Sequence, residues 1–413
     1  MRQAAILTAL VVVLVIVVAA AVCARRRLAA GLILLAGGAA CLAGGAAYIA
    51  ARVAPLPVRG GGRAAEDAGG EPPLIPFHGE LLTREEIAAI NKVARVKTPA
   101  NKLPTTFGQV RSLPYRPSPY AARTALHIGQ RKLLLSEVDF LTDYAREGDT
   151  VVYAGSAPGV HMPFLASLFR AKRLKFELYD PRRFVMPKGR TEALSRIATH
   201  QEYFTDEVAA RYAGRDEVLF ISDIRTGVPG TEENEARVAA DMEAQRRWTK
   251  IMNPRAAMLK YRPPYSSDAP FEYLDGEVRV QAWAPRSTTE GRLVAERPYP
   301  VAGTSPRDHE NRAYYISAVL REWAFYDHGI PTELVPGLDH CFDCALEARI
   351  WARYLGDGAT PEKVAACFNR ATAAISRSLD RPPHGVDPGA FMVDKRESLP
   401  SDARAGKSEA SRS

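Results

Sequence analysis

Short apolar runs alternate with segments of helical periodicity between residues 131 and 262. Apolar positions recur at helical spacing over residues 131–146, and the apolar run VVYAG follows. Three further apolar runs, KFELYD, EVLFISD and AAMLKYR, are separated by helix-like segments. Strands that alternate with helices of this length predict an α/β fold with a mostly parallel, doubly wound sheet. VRVQAW and GRLVAERPY have no long helix between them, so they predict an antiparallel hairpin at the sheet edge.

The first 52 residues follow a different pattern. Residues 4–24 contain no charged side chain and are dominated by Val and Leu. A helix of this length is long enough to cross a hydrocarbon core of roughly 30 Å. Three arginines then precede a second, glycine-diluted apolar run over residues 28–51. We predict a membrane anchor over residues 1–52, of one or two spans, with the arginines in the cytosol. A cleaved signal peptide is the alternative.

Composition indicates how the rest of the chain is organised into domains and what kind of partner it binds. A glycine-rich linker and arm is predicted over residues 53–108, a folded domain over 109–380, and a polar, disordered tail over 381–413. The net charge of +8 favours a polyanionic partner such as RNA or an anionic membrane, although a GC-rich genome, which favours Arg, would produce the same excess. Five cysteines cannot all pair within the chain, which favours a reducing compartment.

The loop GSAPG at residues 155–159 follows a predicted strand and opens a predicted helix. It lacks the Gly-Lys-Ser/Thr of a phosphate-binding loop and is not GxGxxG. Asp180 ends the next strand, where a carboxylate can accept hydrogen bonds from ribose hydroxyls. These features favour a nucleoside-containing cofactor, and S-adenosylmethionine fits the loop better than NAD. Tight packing of a helix on a strand is the alternative interpretation.

Four charged residues lie near the ends of predicted elements. Lys132 opens a helix, Asp223 and Lys260 end strands, and Glu290 precedes a strand. Their spacing allows them to converge at one edge of the sheet. From the pattern alone, ordinary solvated side chains are the alternative.

The ordered strings GQRKLLLSE, VVYAGSAPGVH, LYDPR, FISDIR, MNPRAAMLKYR and WAPRSTTEGRL resemble the poxvirus cap-specific mRNA 2′-O-methyltransferases. Members of that family also serve as processivity subunits of poly(A) polymerase. The resemblance covers about residues 110–355. It implies a Rossmann-like class I methyltransferase fold for residues 109–380, S-adenosylmethionine as cofactor and capped mRNA as substrate.

The resemblance also implies site residues. The family's Lys-Asp-Lys-Glu tetrad falls on Lys132, Asp223, Lys260 and Glu290. Its cofactor contacts fall on Gln130, Tyr153, Gly155, Ser156, Gly159, Asp180, Arg182, Phe204, Asp223, Ile224 and Arg225. The match is weakest at Phe204, which lies outside the matched strings.

A cap-binding pocket is implied as well. The family stacks the methylated guanine between two aromatic rings and holds its edge with carboxylates. Tyr265 falls where one ring is expected, Glu310 matches one carboxylate and Asp268 lies near the other. Tyr115 or Tyr120 could supply the second ring.

In the implied reaction, Lys260 is the general base that accepts the proton of the 2′-hydroxyl of the first transcribed nucleotide. Burial and the neighbouring Lys132 cation would favour the neutral amine of Lys260. No metal is expected. His340, Cys341, Cys344 and Cys367 form a weak zinc pattern that we interpret as packed thiols.

Two other functions stay open at this point. The chain could hold RNA for the catalytic subunit of a poly(A) polymerase, with or without catalysis, or it could methylate an uncapped RNA. The predicted location is a membrane-anchored protein with its catalytic domain in the host cytoplasm or virion interior.

Overall fold

A seven-stranded sheet organises the described part of the computed structural model, which is residues 83–94, 97–116, 126–227, 233–265, 269–285 and 288–378. These residues belong to one of the two units of the chain, residues 73–413. The strands are β1 (Lys97–Pro99), β2 (Thr150–Ala154), β3 (Lys175–Tyr179), β4 (Ile197–His200), β5 (Val218–Ser222), β6 (Ala256–Tyr261), β7 (Phe271–Leu274), β8 (Glu277–Arg279), β9 (Gly291–Glu296), β10 (Val301–Thr304) and β11 (Phe325–Asp327). The α-helices are α1 (Arg84–Val93), α2 (Leu126–Tyr144), α3 (Met162–Leu168), α4 (Asp206–Ala210), α5 (Asn234–Met252), α6 (Pro306–Tyr315), α7 (Arg321–Trp323), α8 (Phe342–Leu355) and α9 (Pro361–Ser378).

The strand order in the large sheet is β4-β3-β2-β5-β6-β9-β8. Strands β4 to β6 in that order are parallel, whereas β9 is antiparallel to both β6 and β8. The predicted mostly parallel sheet with an antiparallel edge hairpin is therefore confirmed. The chain runs outward from β2 to β4 and then returns to β5, so the strand order switches between β2 and β5. Ligands of such sheets bind beyond the carboxyl ends of the strands at this switch.

Both faces of the sheet are buried, which explains the nearly continuous apolar runs in its strands. Val151 and Tyr153 of β2 point into the core that holds α2 and α3. Their neighbours Val152 and Ala154 point into the core that holds α4 and α5. Adjacent residues of a strand face opposite sides, so a strand covered on both sides needs apolar residues throughout.

The C-terminal helices α8 and α9 extend the layer formed by α2. Trp351 of α8 and Phe368 of α9 are fully buried in the core beneath α2. This packing fixes the helix that carries Gln130 and Lys132 near its start.

Smaller elements surround the large sheet. β1 pairs with β11, and β7 pairs with β10. The arm predicted over residues 53–108 contains α1, which begins at a capping box formed by Thr83 and Glu86. Glu86 also accepts a hydrogen bond from Tyr314 at 2.6 Å, so this part of the arm packs on the rest of the domain.

Several predictions fall outside the described residues, namely the anchor over residues 1–52, the tail over 381–413, Tyr120 and Asp268. Among the helices within the described ranges, none is both long and apolar enough to cross a membrane.

Candidate active site

The loop after β2 and the loop after β5 touch at the switch in strand order. The amide of Asp223 donates to the carbonyl of Ala154 at 2.9 Å, and Gly155 has a φ of +81°. A Cβ atom on Gly155 would lie 2.8 Å from the nitrogen of Ile224 and 2.9 Å from the carbonyl carbon of Asp223. Only glycine combines this φ with such a close backbone approach. The first glycine of the GSAPG loop thus brings the two strand ends together.

The four predicted tetrad residues converge at this point. Lys260 Nζ lies 3.1 Å from Asp223 Oδ1 and 3.5 Å from Glu290 Oε2. Lys132 Nζ donates to Glu290 Oε1 at 3.2 Å. Each of the four side chains is largely buried. Residues from a helix, two strand ends and a loop therefore form one charged cluster, as their spacing allowed.

Arg292 joins this cluster and was missed by the sequence analysis. Its guanidinium donates to Asp223 Oδ1 at 2.6 Å and to Gln281 Oε1 at 2.8 Å. Arg292 on β9 pairs with Lys260 on β6, and directly opposed residues in an antiparallel pair project to the same side of the sheet. A single arginine inside the apolar run GRLVAE was the signal that could have identified it.

Electrostatic coupling shifts the protonation of the cluster. Burial alone would raise the pKa of Asp223, but the cations of Lys260, Arg292 and Lys132 outweigh burial and lower it to about 2. The pKa of Glu290 is held well below its usual value by the same cations. Burial lowers the pKa of Lys132, and Arg292 and Lys260 lower it further. Both carboxylates are therefore ionised at neutral pH, whereas Lys132 loses its proton more readily than a surface lysine.

Asp180 lies at the end of β3, beside the glycine loop. Its carboxylate accepts from the amide of Ala157 at 3.1 Å and from the backbone and guanidinium of Arg182. The Arg182 side chain is 71% exposed, whereas that of Asp180 is 2% exposed. The guanidinium therefore covers a buried carboxylate from the solvent side, which is the side from which a ligand hydroxyl would approach.

Behind the loop, His161 links two buried side chains of α2. Its Nδ1 lies 2.7 Å from Gln130 Oε1 and its Nε2 lies 2.8 Å from a carboxylate oxygen of Glu137. These contacts orient Gln130, one of the predicted cofactor contacts. The sequence analysis missed His161 and Glu137. Their signal was a carboxylate on the apolar face of a helix and a histidine two residues after the glycine loop.

The other predicted cofactor contacts are found in the core and in the glycine loop. The side chain of Tyr153 is buried, and the ring of Phe204 packs against Phe220 and Trp248. Ser156 and Gly159 belong to the loop itself, and Gly159 has a φ of +67°. A contact between any of these residues and a cofactor stays a prediction.

Arg225 follows β5 and lies beside the tetrad, with its Nη2 3.5 Å from Glu290 Oε2. Within the described ranges, both terminal nitrogens of this guanidinium are buried without a hydrogen-bond partner. Buried donors in this state are rare in folded proteins, so they favour an additional polar group in the cleft.

Two tyrosine rings face each other next to the tetrad. Tyr115 and Tyr265 are nearly parallel, with ring centroids 6.1 Å apart and an interplanar angle of 18°. Thr289 donates to the hydroxyl oxygen of Tyr265 at 3.0 Å, and Thr289 directly precedes Glu290. Burial, Tyr265 and Glu310 raise the pKa of Tyr115 to about 12. The structure thus brings together three of the residues named for cap binding, with the ring of Tyr115 opposite that of Tyr265. Tyr120, the other candidate for the second ring, lies outside the described residues.

The neighbourhood of this ring pair is held by further contacts. The guanidinium carbon of Arg262 lies 4.3 Å from the centroid of Tyr265, and Arg262 pairs with Glu235 at 2.9 Å. The buried His309 contacts the carbonyl of Thr289 through its Nε2 at 2.7 Å and stacks on Phe107. These contacts fix the segment that carries Thr289 and Glu290.

Comparison with known proteins gives three results. A family model described as the poly(A) polymerase regulatory subunit matches residues 113–334. The cap-specific mRNA (nucleoside-2′-O-)-methyltransferase of Myxoma virus (strain Lausanne) is 28% identical over 211 residues, which cover 47% of this chain and 62% of that protein. The protein of the same name from Fowlpox virus (strain NVSL) is 26% identical over 227 residues, which cover 50% of this chain and 71% of that protein.

The chain thus spans about three-fifths of the length of the Myxoma virus relative. Among solved structures, bluetongue virus VP4, described as a multifunctional RNA-capping production line, matches with 17% identity and a TM-score of 0.34. That match covers 51% of this chain and 38% of VP4.

Proposed function

Because this chain belongs to the poly(A) polymerase regulatory subunit family and is similar to poxvirus proteins named cap-specific mRNA 2′-O-methyltransferases, we propose that it methylates a ribose 2′-hydroxyl of capped mRNA, at the first transcribed nucleotide. The observation that carries this proposal is the convergence of Lys132, Asp223, Lys260 and Glu290 beside the glycine loop. Two carboxylates and two lysines at a strand-order switch are suited to aligning a hydroxyl and removing its proton.

The cleft fits S-adenosylmethionine. Gly155 allows the backbone after β2 to lie against Asp223 and Ile224, which places the glycine loop beside the charged cluster, and Asp180 offers carboxylate oxygens for ribose hydroxyls. The terminal nitrogens of Arg225, which have an ion pair with Glu290 but no hydrogen-bond partner among the described residues, suit an anionic or polar group of a ligand. When bound, S-adenosylmethionine supplies an electrophilic methyl group attached to a sulfonium.

Lys260 is the proposed general base. Its Nζ lies between Asp223 and Glu290, so the two carboxylates orient the amine toward the cleft. The amine must be neutral to accept the proton of the 2′-hydroxyl. We propose that Lys132 orients Glu290, which it contacts at 3.2 Å.

The ring pair of Tyr115 and Tyr265 is the proposed cap-binding pocket, with Glu310 at the edge of the base. A stacked base needs about 3.5 Å on each side, or roughly 7 Å between the rings. The present 6.1 Å between centroids requires a shift of about 1 Å. Stacking a cationic methylguanine between tyrosines is favourable by on the order of 1–2 kcal/mol or more when desolvated. The bond from Thr289 to Tyr265 ties this pocket to Glu290.

The second candidate function is RNA binding for the catalytic subunit of a poly(A) polymerase. The family description favours this role, and a net charge of +8 suits it. A purely RNA-holding subunit would not need two lysines paired with carboxylates in a largely buried cluster. We therefore propose that methyl transfer is retained whether or not such a partner binds.

The test is methyl transfer from labelled S-adenosylmethionine to two short RNAs that differ only in the presence of a methylated cap. We expect the full chain to label the capped RNA at the 2′-oxygen of its first nucleotide. Lys260→Arg should reduce turnover by roughly 10²–10⁴, because a guanidinium stays protonated and cannot act as a base. Binding of S-adenosylmethionine by calorimetry should be unchanged in this variant.

Lys250→Arg is the matched control, since Lys250 is an exposed lysine of α5. Equal labelling of capped and uncapped RNA would refute cap specificity. Normal turnover by Lys260→Arg would remove Lys260 from the reaction, and Lys132→Arg would then be the variant that identifies the base.

A further inference from the structure

Two thiols and a carboxylate meet at the start of α8, in a part of the fold that the proposed reaction does not use. A carboxylate oxygen of Asp339 and the Sγ atoms of Cys341 and Cys344 all lie within 4.8 Å of one another. Cys341 is the N-cap residue of α8 and Cys344 is in its first turn. Helical residues three positions apart share a face, which brings both thiols to one side.

The segment that carries these groups is held by the backbone around it. The carboxylate of Asp339 accepts from the amide of Cys341 at 3.0 Å. Cys344 is hydrogen-bonded to the thiol of Cys341 and to the backbone of Asp339. The three groups therefore have a defined relative position before any ligand binds.

Two histidines support the same segment. His328 Nε2 contacts the carbonyl of Asp339 at 3.0 Å, and its ring stacks on His340 at a centroid distance of 4.5 Å. His340 Nδ1 contacts the carbonyl of Tyr326 at 3.0 Å. These contacts are made to backbone carbonyls, so they hold the segment that carries the three groups.

The donor set selects the kind of metal. Two cysteines in C-x-x-C spacing with a carboxylate suit Zn²⁺, whereas Mg²⁺ and Ca²⁺ prefer oxygen ligands only. The same spacing in a chain with an uneven number of cysteines favours metal binding over structural disulfides. Cys344 is buried, but Asp339 and Cys341 are partly exposed, so one side of the cluster is open to solvent.

We propose that Asp339, Cys341 and Cys344 bind one zinc ion, with water in the fourth coordination position. Binding would release the thiol protons of Cys341 and Cys344 to solvent, because zinc binds the thiolate form. The packed-thiol interpretation of the sequence then holds for Cys367, which is buried on α9 and is not part of this group. The site lies beyond residue 334, where the match to the family model ends.

A zinc ion bound at this site would stabilise the neighbouring structure through Asp343. Asp343, between the two cysteines, accepts from the amide of Trp283 at 2.8 Å and from Arg321 at 3.2 Å. Trp283 lies two residues after Gln281, which contacts both Arg292 and Glu290. A zinc ion at the start of α8 would therefore stabilise the segment that supports the charged cluster.

The test measures metal rather than methyl transfer. The full chain is purified under reducing conditions, loaded with zinc, dialysed and analysed for zinc by mass spectrometry. We expect about one zinc per chain, retained in Cys367→Ser and lost in the Cys341→Ser/Cys344→Ser double variant. Replacement by Co²⁺ should give a thiolate-to-cobalt charge-transfer band in the wild type and in Cys367→Ser.

Asp339→Asn is a second test, in case the double cysteine variant loses zinc because it does not fold. The asparagine preserves the shape of the side chain. It should weaken zinc binding by at least roughly tenfold while the circular dichroism spectrum is unchanged. Chelation should lower the Tm of the wild type but not that of the double variant. A wild-type chain that binds no zinc, or a Cys367→Ser chain that loses zinc as fully as the double variant, would overturn the proposal.

Discussion

The carboxylates of Asp223 and Glu290 neutralise the cations that surround them in the cluster. Asp223 contacts Lys260 and Arg292. Glu290 contacts Lys132 at 3.2 Å and both Lys260 and Arg225 at 3.5 Å. Each of these largely buried carboxylates therefore interacts with more than one cation. Removal of either carboxylate would leave cations facing each other without compensation, which is far more destabilising than loss of a surface pair.

This balance predicts how stability depends on pH. The pKa of Asp223 is lowered to about 2 in the folded chain, so its ionised form contributes stability above its unfolded value. That contribution is lost as pH falls from about 4 towards 2. We expect Asp223→Asn to lower the free energy of unfolding in urea at pH 7, and the difference from wild type to narrow at pH 3.5. A difference that widens on acidification would contradict the charge balance.

The aromatic pocket allows a prediction with a matched control. Tyr265→Ala should reduce the preference for capped over uncapped RNA by roughly tenfold or more, because the ring contributes on the order of 1–2 kcal/mol of cation–π attraction. Maximal turnover on capped RNA should change less, since the ring positions the RNA end and does not touch the reacting atoms. Tyr203→Ala is the control, because Tyr203 is 70% exposed compared with 37% for Tyr265. Equal losses on both RNAs would indicate a purely structural role for Tyr265.

Among the secondary-structure elements, the contact between the ends of β2 and β5 determines the cleft. Gly155→Ala places a methyl group against the backbone of Asp223 and Ile224, which no rotamer change relieves. The substitution should cost about 1–2 kcal/mol for the positive φ and a further 1–3 kcal/mol for the overlap. It should also weaken S-adenosylmethionine binding at least roughly tenfold, because Asp223 and Ile224 must shift.

Gly148→Ala separates these two contributions. Gly148 has a φ of +80°, almost equal to that of Gly155, but a Cβ there meets nothing within 4 Å. Chemical denaturation should show only the smaller loss in this variant, and calorimetry should show normal cofactor binding. Similar behaviour of the two variants would mean that the backbone contact at Gly155 is unimportant.

For the molecule as a whole, the C-terminal helices complete the site from outside the segment matched by the family model. Glu347 of α8 pairs with Arg131 of α2 at 2.6 Å, and their side chains are 0% and 2% exposed. Glu347 also accepts from the indole nitrogens of Trp283 and Trp351. Arg131 directly precedes Lys132, so this buried pair fixes the start of α2 relative to α8.

Glu347→Gln should therefore destabilise the whole domain. The variant keeps the shape of the side chain but leaves the Arg131 guanidinium buried without a counter-charge, at a cost of about 3–5 kcal/mol. Thermal unfolding should show a clear fall in Tm, and the remaining folded protein should have reduced methyl transfer. Glu362→Gln, on the exposed side of α9, should change the free energy of unfolding by no more than about 0.5 kcal/mol. An unchanged Tm in Glu347→Gln would show that the pair does not hold α2 in place.

The sequence by itself determined the alternation of strands and helices, the glycine loop and the antiparallel hairpin. These features depend on side-chain periodicity and on backbone freedom at single positions, which are local properties of the chain. The resemblance added a predicted catalytic role for four residues, because each lies within one of the matched strings. These residues are Lys132, Asp223, Lys260 and Glu290.

Only the tertiary structure decided which distant residues complete the site. Arg292 opposes Lys260 because β9 inserts antiparallel between β6 and β8, and no spacing along the chain specifies that register. Tyr115 faces Tyr265 because segments 150 residues apart meet. Asp339, Cys341 and Cys344 come together where α8 begins, whereas the sequence pattern grouped Cys367 with those cysteines. Periodicity specifies elements, but contacts between remote segments are decided by packing of the complete core.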